Sequence, residues 1–197
     1  MHEYGGLTMS DIMKIRAVLT SAGFENNVVE QYFLEMAGKP SEELRALWIP
    51  TAAIDDDAVA MLPKCMNDLL GAGLLHENIQ TYDLDRKMTS DELAEYDVIY
   101  VCGGNCRHLL DRMHGVGFDK LLDDFFDGGG VYIGVSAGSC VCGGDFEDGL
   151  GFVPCSIGVH CKEGTLMGTL DFDMYDHCDL TDRQAIVIQG GEVFIVE

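Results

Sequence analysis

Residues 128–142 read Gly128-Gly129-Gly130-Val131-Tyr132-Ile133-Gly134-Val135-Ser136-Ala137-Gly138-Ser139-Cys140-Val141-Cys142. A β-branched and aromatic run, Val131-Tyr132-Ile133, enters the turn Gly134-Val135-Ser136-Ala137-Gly138, and small residues follow in a pattern that suits a helix. Strand, sharp turn and helix in that order are the surroundings of a nucleophile elbow, where a constrained turn lifts a serine hydroxyl above the end of a sheet. The flanking glycines let backbone segments pass closely and permit an unusual dihedral at the serine. On this reading Ser136 is a nucleophile and the fold is α/β. The plainer reading is a tight turn in an α/β protein, which carries no chemistry.

Upstream of this stretch, strand-like and helix-like segments alternate. Residues 15–19 form an apolar run that ends at Thr20-Ser21-Ala22-Gly23. Asn26 or Asn27 then opens a helix carrying Val28, Val29, Tyr32, Phe33 and Met36 at helical spacing. Residues 44–49 read as a second strand stopped by Pro50, residues 58–70 as a helix, and residues 79–84 as a third strand. A short helix over 89–95, capped by Thr89 or Ser90, precedes Asp97-Val98-Ile99-Tyr100-Val101. That continuous apolar run is the kind of strand buried on both faces of a parallel sheet. Gly103-Gly104-Asn105 follows at once, and helices over 107–113 and 118–126 lead to the elbow strand. The pattern predicts an open, mostly parallel α/β sheet, in which functional groups gather at the carboxyl ends of the strands. Near the end of the chain, residues 185–189 and 192–196 flank Gly190-Gly191, a strong hairpin signal. One domain is expected over residues 15–197, with residues 1–14 as a disordered leader.

At 197 residues, 47% hydrophobic and 23% charged, the chain can bury a full core. Its net charge of −22 repels nucleic acid and anionic membrane, so neither is expected as a partner. No apolar run is long enough to span a bilayer. Residues 1–14 lack the basic start and apolar centre of a signal peptide, and a cytoplasmic location is expected. None of the eight cysteines forms a C-x-x-C pair, which favours reduced thiols over disulfides or structural zinc. His160, Cys161, His177 and Cys178 are the group that could hold a metal, although nothing in their spacing requires it. A homodimer is expected from the apolar surface that sheets of this type expose.

A serine hydroxyl needs a base within hydrogen-bond reach. Of the six histidines, His2 lies in the leader and His76 on the amino side of a strand, while His108 and His114 belong to or follow a helix. His160 ends the short strand-like run over 155–159, as a base near the elbow should, and His177 is the second choice. The carboxylate that orients the histidine is one of 34 acids. Asp145, Asp148 and Asp182 are among those that follow the serine, and spacing does not choose between them. For the oxyanion hole, the amide of Ala137 is one natural donor and Gly103-Gly104 can supply another. The same glycines could hold a phosphate, as in a flavodoxin-like small-molecule binder. A true α/β-hydrolase is disfavoured, because the chain after Ser136 is too short for the usual strands and cap.

Several of these pieces, in order along the chain, resemble the dipeptidase E (aspartyl dipeptidase) and cyanophycinase family of serine peptidases. They are Leu19-Thr20-Ser21-Ala22-Gly23, Ile49-Pro50-Thr51-Ala52-Ala53, Ile99-Tyr100-Val101-Cys102-Gly103-Gly104-Asn105 and Gly134-Val135-Ser136-Ala137-Gly138-Ser139. Gly149-Leu150-Gly151-Phe152-Val153-Pro154 leading to His160, and Leu180-Thr181-Asp182-Arg183-Gln184-Ala185-Ile186, complete the set. The resemblance implies a three-layer α/β/α fold like the class I glutamine amidotransferases, with a flavodoxin-like core. It also implies hydrolysis of small peptides by nucleophile Ser136 and base His160, with oxyanion donors at Gly104 and Ala137. An acid before the terminal hairpin, Asp182, fits the family's third position, and an older assignment between serine and histidine points to Asp145 or Asp148. Asn105 is the candidate substrate-binding residue of the Gly-Gly-Asn motif. No cofactor or metal is implied. No arginine after His160 matches the one dipeptidase E uses for its aspartyl substrate, which leaves side-chain preference and turnover itself open; the alternative is an inactive binding or regulatory protein on the same fold.

Overall fold

Four short strands whose residues are all buried form the centre of the molecule: β1 (Ala17–Thr20), β2 (Ala46–Ile49), β4 (Val98–Val101) and β5 (Val131–Val135). Such strands have no solvent face, so they need helices on both sides of the sheet. The computed structural model describes residues 9–197. With β3 (Ile79–Thr81), β7 (Gly168–Thr169), β9 (Ala185–Gln189) and β10 (Glu192–Val196), they make an eight-stranded sheet in the order β3-β2-β4-β5-β1-β9-β10-β7. The pairs from β3 to β1 are parallel, and β9, β10 and β7 continue antiparallel. The hairpin expected at residues 185–196 is β9 and β10, in register from Ala185↔Val196 to Gln189↔Glu192.

Alternation along each strand divides the core in two. Val18, Trp48, Tyr100 and Ile133 face the side covered by α2 (Asn27–Ala37) and α3 (Asp56–Gly71). Leu19, Ile49, Ile99 and Tyr132 face the side covered by α5 (Cys106–Val116) and α6 (Leu122–Asp127). The helices start where their caps dictate. Asn26 accepts the Val28 and Val29 N–H groups, Asp55 accepts that of Ala58, and Thr89 forms a capping box with Glu92 at α4 (Ser90–Leu93). The segment expected as one helix over 118–126 is a 3₁₀ turn at Asp119–Leu121 followed by α6.

The leader expected over 1–14 lies outside the described residues up to residue 8. From there it is corrected: Met9–Lys14 is a helix, α1, and Ile12 and Ile15 are buried in the core, because two apolar side chains three apart cover the α6 side of the sheet. The short β6 (Ser156–Gly158) and β8 (His177–Asp179) pair parallel in a separate two-stranded sheet. No helix among the described residues is long and apolar enough to cross a membrane.

Candidate active site

Sheet register brings the first pieces together. Thr20 pairs with Val135, and Val101 with Gly134, so Ser21, Gly103 and Ser136 emerge side by side just past the strand ends. The Ser136 N–H donates to the Thr20 carbonyl at 3.0 Å, which continues the ladder one step into the turn. Ser136 has φ 50° and ψ −109°, a conformation that costs a non-glycine residue about 1–3 kcal/mol and persists only where surroundings over-determine it. They do so here. A Cβ on Gly134 would stand 2.6 Å from the Gly138 carbonyl oxygen, and one on Gly138 would overlap the Val101 carbonyl. The buried Tyr132 hydroxyl donates to the Gly138 carbonyl at 2.8 Å, and Ser139 Oγ donates to that of Thr20 at 2.7 Å. The short helix α7 (Ala137–Cys140) is thereby pressed onto β4 and β5 with Ser136 at its entrance.

His160 follows β6 with φ 58°, and its N–H donates to Ser21 Oγ at 2.7 Å. Its ring lies between two partners: Nε2 is 3.2 Å from Ser136 Oγ, and Nδ1 is 2.6 Å from Asp182 Oδ1. The hydrogen bond from His160 holds the Asp182 carboxyl below the usual carboxylate range; burial opposes this, and the Ser21 hydroxyl and the Lys64 charge assist. An ionised carboxylate only accepts, so Nδ1 carries the proton and the Nε2 lone pair faces the serine hydroxyl. Asp182 lies between β8 and β9. The antiparallel pairing Thr20↔Ala185 carries that turn back over the end of β1.

The other candidate acids are engaged elsewhere. Asp145 accepts the Ile157 N–H at 3.1 Å, and Asp148 pairs with Arg107 at 2.6 Å. His177 bonds Asp179 at 2.8 Å, and Cys161 bonds the same carboxylate at 3.2 Å. His160 turns to Ser136 instead, so the four residues considered for a metal are not one group. The Asn105 side chain caps α5, its Oδ1 accepting the His108 N–H at 2.8 Å. Gly104 lines the cleft beside Ser136, with φ 139°, and Ala137 is buried directly after the serine. Ser21 was not singled out from the sequence for any role. The cue available was its place at the end of the strand that neighbours the elbow strand.

The cleft encloses about 330 Å³, and its lining includes Ser136, His160, Gly103, Gly104, Met61 and Leu62. Asp55, Asp57 and Lys64 also border it. The Lys64 ammonium is committed to the Ala22 carbonyl at 2.6 Å and to the Glu25 carboxylate. A larger hollow of about 540 Å³, bordered by Arg16, Lys39 and Asp97, lies at the amino ends of the strands, away from this chemistry. Arg16 is occupied there by the Gly129 and Met36 carbonyls.

Behind the cleft, Asp68 accepts the Tyr100 hydroxyl at 2.6 Å and the Phe24 N–H at 3.2 Å, anchoring the loop that carries Ser21. Burial raises its carboxyl above the ordinary value of 3.8. A carboxyl so raised contributes stability while protonated, and loses it as pH climbs from the unfolded value through the folded one. Asp68→Asn is therefore expected to gain stability relative to wild type between pH 4 and pH 7. Urea melts at the two pH values test this, and a gap that stays constant would contradict it.

Fold and site together define an α/β protein whose serine, histidine and aspartate meet in one hydrogen-bonded row beyond the parallel strands. Residues 17–148 match the family model of peptidase family S51. The chain belongs to that family, the family of dipeptidase E. It is 28% identical over 109 residues to an uncharacterized peptidase of Pasteurella multocida, covering 55% of this chain and 52% of that one. It is 32% identical over 94 residues to an uncharacterized peptidase of Listeria monocytogenes, covering 48% and 46%. The matched stretches thus span about half the length of the curated relatives. Among solved structures, a candidate peptidase E protein of Listeria monocytogenes superposes with a TM-score of 0.73 at 23% identity, over 93% of this chain and 98% of that one. A peptidase from an acI-B1 Actinobacterium gives 0.64 at 15% identity, over 92% and 87%. At these identities the likeness is one of fold.

Proposed function

We propose that the protein is a serine-type peptidase acting on small peptides. The observation that carries this reading is the continuous row from Ser136 Oγ to His160 Nε2 at 3.2 Å and from His160 Nδ1 to Asp182 Oδ1 at 2.6 Å. Ser136 Oγ bonds to the scissile carbonyl carbon while its proton passes to Nε2. The carbonyl oxygen becomes an oxyanion, met by the N–H groups of Gly104 and Ala137. Ala137 opens α7, so its N–H has no acceptor within the helix. The C–N bond then breaks, and Nε2 returns the proton to the leaving amine. Water repeats the sequence on the acyl-enzyme. Asp182 remains ionised throughout and stabilises the imidazolium.

The test is covalent labelling with a fluorophosphonate beside hydrolysis of a dipeptide and tripeptide panel. Mass spectrometry should place the adduct on Ser136 in protein that cleaves members of the panel. No adduct and no cleavage would sink the reading.

The charge around the cleft bears on substrate choice. Among the described residues the one cation lining it, Lys64, is already bonded twice, and Asp55 and Asp57 stand nearby. An acidic side chain would meet the like charges of Asp55 and Asp57, while the Lys64 charge is already paired with Glu25. Ala-Leu is therefore expected to be cleaved about tenfold or more faster than Asp-Leu in kcat/KM, roughly 1.4 kcal/mol of discrimination. A preference for Asp-Leu would refute this account of the cleft.

A further inference from the structure

We propose that Ser21 is a positioning residue of this site, a single buried hydroxyl that holds both the backbone of His160 and the carboxylate of Asp182. The proposal rests on the reading of Ser136, His160 and Asp182 as the reacting row. Ser21 Oγ accepts the His160 N–H at 2.7 Å and donates its own proton to Asp182 Oδ1 at 3.2 Å. A hydroxyl has one proton to give and two lone pairs, so both bonds are made at once without conflict. Ser21 itself is fully buried, whereas the side chains of His160 and Asp182 are 53% and 59% exposed. Exposed side chains wander unless something ordered fixes them, and Ser21 is the ordered partner they share.

The two bonds do different work. His160 occupies φ 58°, a left-handed conformation that a non-glycine residue adopts at a cost. The bond from its N–H to Ser21 pins that backbone, and with it the height of the imidazole over Ser136. The bond from Ser21 to Asp182 gives Oδ1 a second donor beside Nδ1–H, which fixes the rotation of the carboxylate. Both acceptors of the row therefore refer to one point at the end of β1. That point is rigid. Thr20 Oγ1 donates to the Gly134 carbonyl at 2.9 Å and accepts the Gly23 N–H at 3.0 Å. Lys64 holds the Ala22 carbonyl, and Asp68 holds the Phe24 N–H. The titratable and charged groups facing Asp182 in this arrangement are the His160 imidazole and the Lys64 ammonium.

The test compares wild type with Ser21→Ala and Ser21→Thr on a cleaved dipeptide, and follows the Asp182 carboxyl by ¹³C NMR, with Asp182→Asn identifying its signal. Ser21→Ala should lower kcat about 10–100-fold with KM within about twofold, since only the alignment of the row is disturbed. The Asp182 titration should move to higher pH, because a donor to its ionised form is gone. Ser21→Thr, which keeps the hydroxyl, should restore most of both. If the alanine protein does not fold, the near-isosteric Ser21→Cys carries the same measurements. Unchanged kcat, or an unmoved Asp182 titration, overturns the proposal. The titration is read without turnover, so it distinguishes failure here from failure of the peptidase reading, in which wild type cleaves nothing.

Discussion

Ser136→Ala is expected to lower kcat by about 10⁴-fold or more on any peptide that wild type cleaves, and to leave the fold intact. The size follows from the way such rows act as a unit. On the proposed mechanism, loss of Oγ removes the covalent intermediate and leaves His160 and Asp182 nothing to activate, so only binding and oxyanion stabilisation remain. Little stability should be lost with it, because the hydroxyl's bond to the half-open His160 ring is one exposed contact. The backbone conformation of φ 50° is inherited by alanine, but glycine would adopt it freely. Ser136→Gly should therefore be as inactive as Ser136→Ala and more stable, by about 1 kcal/mol. Steady-state kinetics and thermal melts of the two variants read both parts. Wild-type turnover in the alanine protein would end the role assigned to Ser136.

Gly104→Ala should unfold about 10 °C lower than wild type, a loss of roughly 4 kcal/mol, and should abolish activity. Two independent penalties meet at this residue. Its φ of 139° belongs to glycine, and a side chain there costs about 1–3 kcal/mol. A Cβ would also overlap the Ala52 carbonyl and approach Ala53 N at 2.8 Å, all backbone atoms that no rotamer change can move. Overpacking of that kind costs about 1–3 kcal/mol more. The loop after β4 lies directly on the loop after β2, as the 2.7 Å bond from the Asn105 N–H to the Ala52 carbonyl shows. Because β4 lies between β2 and β5, relief of the clash must displace Gly103 and Gly104 relative to Ser136. Gly115→Ala is the contrast: it lies inside α5 with open space around it and should stabilise by about 1 kcal/mol. Equal melting temperatures for Gly104→Ala and wild type would contradict this account.

Much of the site could be read before the fold was known, because part of it is local chemistry. Ser136 is marked by its own neighbours, since the glycines at 134 and 138 are demanded by contacts a few residues away or on the adjoining strand. His160 could be reached by setting aside histidines on helices and at the wrong strand ends. Asp182 could not be singled out by spacing. Asp145 and Asp148 lie between the serine and the histidine, and what separates them from Asp182 is that one bonds the Ile157 N–H and the other Arg107. Asn105 carries a role that the glycine motif did not announce: the first turn of α5 needs a cap, and its side-chain oxygen accepts the His108 N–H there.

Alternating apolar runs, caps and glycine turns were enough to establish the α/β class, the parallel strands, the terminal hairpin and the nucleophile candidate. Each depends on interactions within a few residues, which the chain carries wherever it goes. The completed row is another matter. Ser136 and His160 are 24 residues apart, His160 and Asp182 a further 22, and Ser21 and Asp182 are separated by 161. Their meeting depends on β9 pairing antiparallel with β1 so that Thr20 faces Ala185, and on β5 lying on the other side of β1. Strand order and register are set by the packing of the whole sheet, and no local pattern encodes them. That is why Ser136 was legible in the sequence, while the choice of Asp182 and the place of Ser21 behind it belong to the tertiary structure.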